Sequence, residues 1–177
     1  VLIRSFVSLF VLGTVWIWNS PVAEAQFGGF FGGSKVQTIS TKDVVRMIAE
    51  QQKAQQESEQ QGQPANPADF ILVDVRSDKE IAVSIIPGAI TKADFEKNQA
   101  NYRDKLVIPY CTVGGRSEKY AKKLLQDGWK VKNYKGSILE WVQAEQPLVT
   151  LKGQPTMRVH TYSSSYRIPD KYQQVSQ

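Results

Sequence analysis

Residues Tyr110 to Ser117 read Tyr-Cys-Thr-Val-Gly-Gly-Arg-Ser and hold the single cysteine of this 177-residue chain. A thiol in that setting can be a nucleophile, a metal ligand or a small core residue. Cys111 follows the apolar run Leu106 to Tyr110, and a helix-patterned stretch begins near Ser117. That places the sulfur at the carboxyl end of a buried strand, where open α/β sheets put their ligands. Gly114 and Gly115 let the backbone curl so that the amides of Thr112 to Ser117 point inward as an anion nest. The helix behind them adds unpaired N–H groups and the positive end of its dipole. Both effects, and the adjacent Arg116, lower a thiol pKa. The result is a nucleophilic thiolate in a cradle suited to an anionic substrate. One cysteine and one histidine do not make a zinc site of the usual composition, so no metal is expected. A buried inert cysteine leaves the glycines and the arginine without a purpose.

The elements that must hold this loop are legible around it. Phe70 to Val75 is a continuous apolar run, the pattern of a strand buried on both faces in a parallel sheet. Leu106 to Tyr110 is a second, with Pro109 awkward for a central ladder. Trp129 to Tyr134 alternates and reads as a third strand, and Val36 to Ser40 as a short first one. Thr41 to Glu50 predicts a helix capped by Ser40 or Thr41. Tyr120, Ala121, Leu124 and Leu125 share one helical face that ends at Gly128, and 137 to 144 predicts a short last helix. Strands alternating with helices predict an α/β fold with a mostly parallel sheet. The glutamine-rich, proline-terminated segment at about 51 to 68 reads as a polar insertion, its first part able to prolong the preceding helix. The tail 151 to 177 shows no period.

The first 25 residues have the three-part layout of a secretory signal, with cleavage expected after Ala25. The apolar run is about 14 residues, short of the roughly 20 that span a bilayer, so a membrane association is expected only if the segment stays uncleaved. Residues 26 to 36, rich in Gly and Phe, read as a linker. The chain is thus expected to be exported, to a periplasm or, in a photosynthetic source, a thylakoid lumen. Its net charge is +5. Residues 103 to 135 carry nine cations against three acids, an excess placed around the cysteine loop that would steer small anions. No nucleic-acid motif accompanies it.

The Cys-x-x-Gly-x-Arg-Ser pattern at 111 to 117 resembles the active-site loop of the rhodanese (thiosulfate sulfurtransferase) domain. Leu72 to Glu80 is similar to the family's Asp-Val-Arg segment, with a glutamate six residues after Asp74. Ile86 to Ile90 and Asp127 to Trp141 resemble its following turn and closing segment, so the likeness runs in order over about 37 to 150. It implies a three-layer α/β domain with a five-stranded parallel sheet and helices on both faces. It also implies double displacement through a Cys111 persulfide, which needs no metal and no organic cofactor. The sulfur donor is thiosulfate or a persulfide, and the acceptor a thiol or cyanide. The loop amides Thr112, Val113, Gly114, Gly115, Arg116 and Ser117 hold the sulfur anion. Arg116 either meets the incoming anion or pins the loop through a carboxylate. Asp74 and Arg76 are candidate supporting residues, set against an Arg76–Glu80 pair that merely fixes the turn. Trp141 is expected in the core and His160 at the surface. Two positions depart from the pattern, Ser84-Ile85 for a Gly-His and Gly136-Ser137 for a Gly-Gly, and neither is expected to touch the cysteine loop. Four residues separate Cys111 from Arg116. The sulfurtransferases resemble that count, whereas phosphatases and arsenate reductases of this fold have a longer loop. A second reading is a persulfide-sensing or protein-binding module that does not turn over, docking a partner through the insertion or the aromatic linker.

Overall fold

The computed structural model describes residues 35 to 64 and 66 to 176; the expected signal segment and most of the linker lie outside them. Two parallel strands occupy the centre, β2 (Phe70–Asp74) and β4 (Leu106–Tyr110), paired along their whole length from Phe70–Leu106 to Asp74–Tyr110. Strand β3 (Ile90–Thr91) pairs parallel on the far side of β2. Strands β1 (Thr38–Ile39) and β5 (Asn133–Tyr134) form a separate parallel pair. A single parallel bridge, Val107 to Val131, couples that pair to β4.

The expected five-stranded sheet is not continuous: β3-β2-β4 and β1-β5 are separate pieces, with the ladder between them reduced to one rung. Pro109 is the reason. The Val107 N–H points to Lys130 O on that side at 2.9 Å, and Lys132 N–H answers to Val107 O at 3.1 Å. Two residues further along the same side is Pro109, which has no N–H to continue the ladder.

Strand alternation divides the core into two. Leu72, Ile108, Tyr110 and Tyr134 face one way, against α1 (Thr41–Gln60) and α5 (Ser137–Gln143). Val73, Val107 and Val131 face the other, against α3 (Lys92–Lys97) and α4 (Gly115–Gln126). Trp141 is 2% exposed in the first cluster, as expected. The glutamine-rich segment prolongs α1 to Gln60, capped at its start by Ser40, which accepts from Asp43 N–H. Sequence patterning did not locate β3, α3, the 3₁₀ turn Gln99–Tyr102, or α2 (Asp78–Ile81). All are shorter than the windows over which periodicity can be read.

The tail is not an appendage. Its first strand, β7 (Pro155–Thr156), runs antiparallel against β6 (Leu148–Val149) at the end of the domain, and β8 (Arg158–His160) then lies parallel to β9 (Gln173–Val175). Val159 is fully buried, and Tyr172 joins the same cluster as Trp141. His160 is buried as well, against expectation, because β8 turns it inward, where its Nδ1 accepts from Tyr162 N–H at 3.1 Å. Val159→Ala is expected to destabilise the domain by about 2 kcal/mol in a denaturant titration. An unattached tail would instead give a change within about 0.5 kcal/mol.

Candidate active site

Cys111 begins the loop between β4 and α4, and its side chain faces inward with 1% of the residue exposed. Gly114 is the hinge of that loop. Its φ of 92° lies in the left-handed region that favours glycine, and a Cβ there would drive into the Lys135 carbonyl. The turn brings Gly114 N–H to 3.1 Å from Cys111 Sγ, at the amino end of the 12-residue α4. Burial pushes the thiol pKa up. The Ser117 amide and hydroxyl and the amides of Val113 and Gly114 outweigh it, leaving the pKa below the ordinary value. Gly115 has open space around its missing side chain and starts the helix. The Ser117 hydroxyl lies 3.1 Å from Gly114 O and ties the turn to the helix.

Arg116 pins the loop. Its Nη1 and Nη2 donate to the two Glu80 oxygens at 2.7 and 2.8 Å, and Nη2 also reaches Thr112 Oγ1 at 2.8 Å. Thr112 Oγ1 in turn donates to Glu80 Oε1 at 2.9 Å. Glu80 closes its own helix too, accepting from the Ser77 amide at 3.0 Å and hydroxyl at 2.7 Å in a capping box. Burial raises the Glu80 pKa, but Arg116, Ser77 and Thr112 overcome that and hold it well below the carboxylate range. The arginine keeps part of its surface in solvent, with its side chain 42% exposed.

The supporting pair is arranged differently from either expectation. Arg76 does not pair with Glu80. It folds back on Asp74, with Nη2 to Oδ2 at 2.7 Å and Nε to both oxygens at 3.0 and 3.1 Å. A fourth contact runs from Nη2 to Ser84 O at 2.6 Å. Both side chains of the pair are fully enclosed, so neither meets a solute from solvent. Their effect on the site runs through the backbone: Asp74 is in register with Tyr110, and Val75 N–H donates to Tyr110 O at 3.0 Å, one residue before the cysteine.

Ser137 was not expected here, yet it lies against the cysteine. Its Oγ accepts from Cys111 N–H at 3.0 Å, donates to Tyr134 O at 3.0 Å, and stands 3.9 Å from Sγ. The next two amides, Ile138 and Leu139, donate to the carbonyls of Cys111 and Thr112 at 3.1 and 3.3 Å. The cysteine loop therefore caps the first turn of α5. Ser137 adopts φ 54°, a conformation costly for a residue with a Cβ. Its place in a Gly-Ser pair before a helix was the only sequence signal. The other departure, Ser84, enters through its carbonyl on Arg76.

The cations are only partly where charge counting put them. Arg116, Lys119 and Lys123, with Lys92, line a cavity of about 350 Å³ beside the loop. Arg103 instead stacks over Trp129 at 4.5 Å, and Lys105 bonds Ala68 O, at the opposite end of β4. Among the described residues no group of three or more His, Cys, Asp or Glu is placed to hold a metal ion, and no helix is long and apolar enough to cross a membrane.

The rhodanese-like domain profile matches residues 50–144. A sulfurtransferase of Allochromatium vinosum is 32% identical over 99 residues, covering 50% of this chain and 87% of that protein. A tRNA sulfurtransferase of Desulfurococcus amylolyticus is 37% identical over 75 residues, 42% of this chain but 15% of that protein. A tRNA uridine(34) hydroxylase of Acinetobacter baumannii is 36% identical over 89 residues, 45% of this chain and 28% of that protein. The match thus covers most of the first of these proteins but a minor part of the other two. A crystal structure of a Bacillus halodurans protein superposes with TM-score 0.50 at 22% identity, covering 66% of this chain and 79% of that one, a likeness of fold.

Three substitutions test the site's construction. Ser137→Gly loses two hydrogen bonds but relieves the left-handed backbone, so its stability should stay within about 1 kcal/mol of the parent. Ser137→Ala loses both bonds, keeps the strain and should cost about 1–3 kcal/mol by urea titration. For Glu80, the folded pKa lies below the unfolded value of about 4.3, so its stabilisation is complete above that pH. It is lost as pH falls, because the unfolded chain takes the proton first. Glu80→Gln should cost about 2 kcal/mol at pH 7, and its gap to the parent should shrink as pH falls below about 4.3.

Proposed function

The chain belongs to the rhodanese-like domain family, and on that premise we propose that it is a sulfurtransferase whose Cys111 carries sulfane sulfur as a persulfide. The observation that supports this reading most is the seat of the sulfur: a thiol of lowered pKa facing the amides of Val113, Gly114 and Ser117 at the head of α4. The thiolate attacks the outer sulfur of thiosulfate or of a persulfide donor. The donor's S–S bond breaks, and its electron pair leaves on sulfite or a thiolate. The charge that lay on Cys111 Sγ now lies on the terminal sulfur, further along the axis of the same amides, which need no reorganisation to receive it. A cyanide or thiolate acceptor then takes that sulfur and returns the thiolate, completing a double displacement.

Arg116 is committed to Glu80, so its work is to hold the ring closed. The lysines at 92, 119 and 123 supply the diffuse positive field that draws an anion to the mouth. We place the domain at 37 to 150, with the tail completing its core, and keep export to a periplasm or thylakoid lumen as part of the proposal.

Thiocyanate formation from thiosulfate and cyanide checks the reading. Initial rates at several fixed cyanide concentrations should give parallel double-reciprocal lines, and Cys111→Ser should reduce the rate to the uncatalysed level. Intersecting lines, or activity kept in the variant, would contradict a covalent sulfur carrier at this position.

A further inference from the structure

The tail beyond the matched region brings two tyrosines to the rim of the cysteine loop. Tyr162 and Tyr166, with Thr112, Val113 and Arg116, line a cavity of about 290 Å³. Val113 is 48% and Tyr162 66% exposed, so two of the four exposed large hydrophobic side chains among the described residues meet at this one place. The Arg116 guanidinium lies 5.9 Å from the Tyr162 ring centroid, within cation–π range.

This rim is built. Strand β8 packs beside α2, the helix that carries Glu80. The turn that follows is clamped by one side chain: Gln174 Nε2 donates to Thr161 Oγ1, Ser163 O and Tyr166 O at 2.8, 3.1 and 2.9 Å. Thr161 N–H donates to Val175 O at 3.0 Å, and Tyr162 N–H to buried His160. Tyr162 itself is held at φ 67°, a costly conformation for an aromatic residue, and its ring is left in solvent. Arg116 borders both cavities. The three lysines Lys92, Lys119 and Lys123 are confined to one, together with Val75 and Tyr120, while Val113, Thr112 and the two tail tyrosines line the other. The lysine side supplies charge for an inorganic anion, and the tyrosine side adds apolar and aromatic surface that such an anion does not use.

We propose that this cavity is a subsite for the organic group of the sulfur donor. The chain then takes a sulfane-sulfur anion bearing a flat apolar or aromatic substituent in preference to thiosulfate. The inference rests on the sulfur-transfer reading above. The volume suits a ring-sized group, at the lower end of the roughly 300–1,000 Å³ of small-molecule sites. For an aryl thiosulfonate, the Cys111 thiolate attacks the terminal sulfur of Ar–SO₂–S⁻. One S–S bond forms and one breaks, the electron pair departs on the sulfinate Ar–SO₂⁻, and the products are that sulfinate and the Cys111 persulfide anion. No proton or further reactant is needed.

The test compares the rate of Cys111 persulfide formation from benzenethiosulfonate and from thiosulfate, in the parent and in a Tyr162→Ala/Tyr166→Ala double variant. Taking the ratio of the two donors removes their intrinsic difference in reactivity. The ratio should fall tenfold or more in the double variant and recover in Tyr162→Phe/Tyr166→Phe, which keeps both rings. Gln174 holds the turn through a hydroxyl and backbone carbonyls, so the truncations spare its anchoring. An unchanged ratio overturns the subsite, whether both rates persist or both fall together. If neither donor loads the parent, the sulfur-transfer reading fails by itself. The subsite is then read from protection of Cys111 against iodoacetamide by benzenesulfonate relative to sulfate. Preferential protection that the double variant loses upholds it, and equal protection by the two anions overturns it.

Discussion

The Glu80 carboxylate, 3% exposed at the end of a four-residue helix, takes hydrogen bonds from Ser77 on its own turn and from Thr112 and Arg116 across the site. A carboxylate so enclosed stays charged only because every oxygen is met. The same bonds fix where Arg116 can be, and Arg116 fixes the helix end that closes around the sulfur. The short helix α2 has little stability of its own at this length. It is held by Glu80 at one end of the pair and by β8 on its flank. The cysteine ring, the α2 turn and the tail are thus one mechanical unit.

Beneath that unit lies the sheet. The Asp74–Arg76 pair sits at the carboxyl end of β2, and the β2–β4 register carries its position directly to Tyr110. A buried pair of this kind is poor evidence of net stability, but it specifies a single arrangement of the strand end. Tyr110 contributes from the other side, its hydroxyl accepting from Ile86 N–H at 3.1 Å. On the remaining flank, Ser137 and the first amides of α5 are stitched to Cys111 and Thr112. The sulfur is therefore approached by fixed donors from the α4 end and held in place by α5.

Much of this was legible in the residues themselves. Continuous apolar runs marked β2 and β4, the glycines and arginine around Cys111 marked the cradle, and Pro109 announced the interrupted ladder beside β4. Pairings of charge were not legible. Spacing put Arg76 beside Glu80, but a chain that turns sharply after β2 lays Arg76 on Asp74 and frees Glu80 for a partner 36 residues away. Ser137 was set aside because its contact with Cys111 is tertiary, made where two strand ends converge. The tail's role escaped for a related reason. Its strands are two or three residues long, its order comes from docking, and only the fold shows that Val159, His160 and Tyr172 are inside.

All of this architecture converges on one atom, Cys111 Sγ. Intact-mass measurement of the chain after exposure to thiosulfate and removal of excess reagent, with Cys111→Ser alongside, tests that convergence most directly. The account predicts one added sulfur in the parent, discharged by cyanide, and none in the variant. A parent that gains no sulfur while Cys111 remains open to alkylation, or a variant that gains it equally, would contradict it.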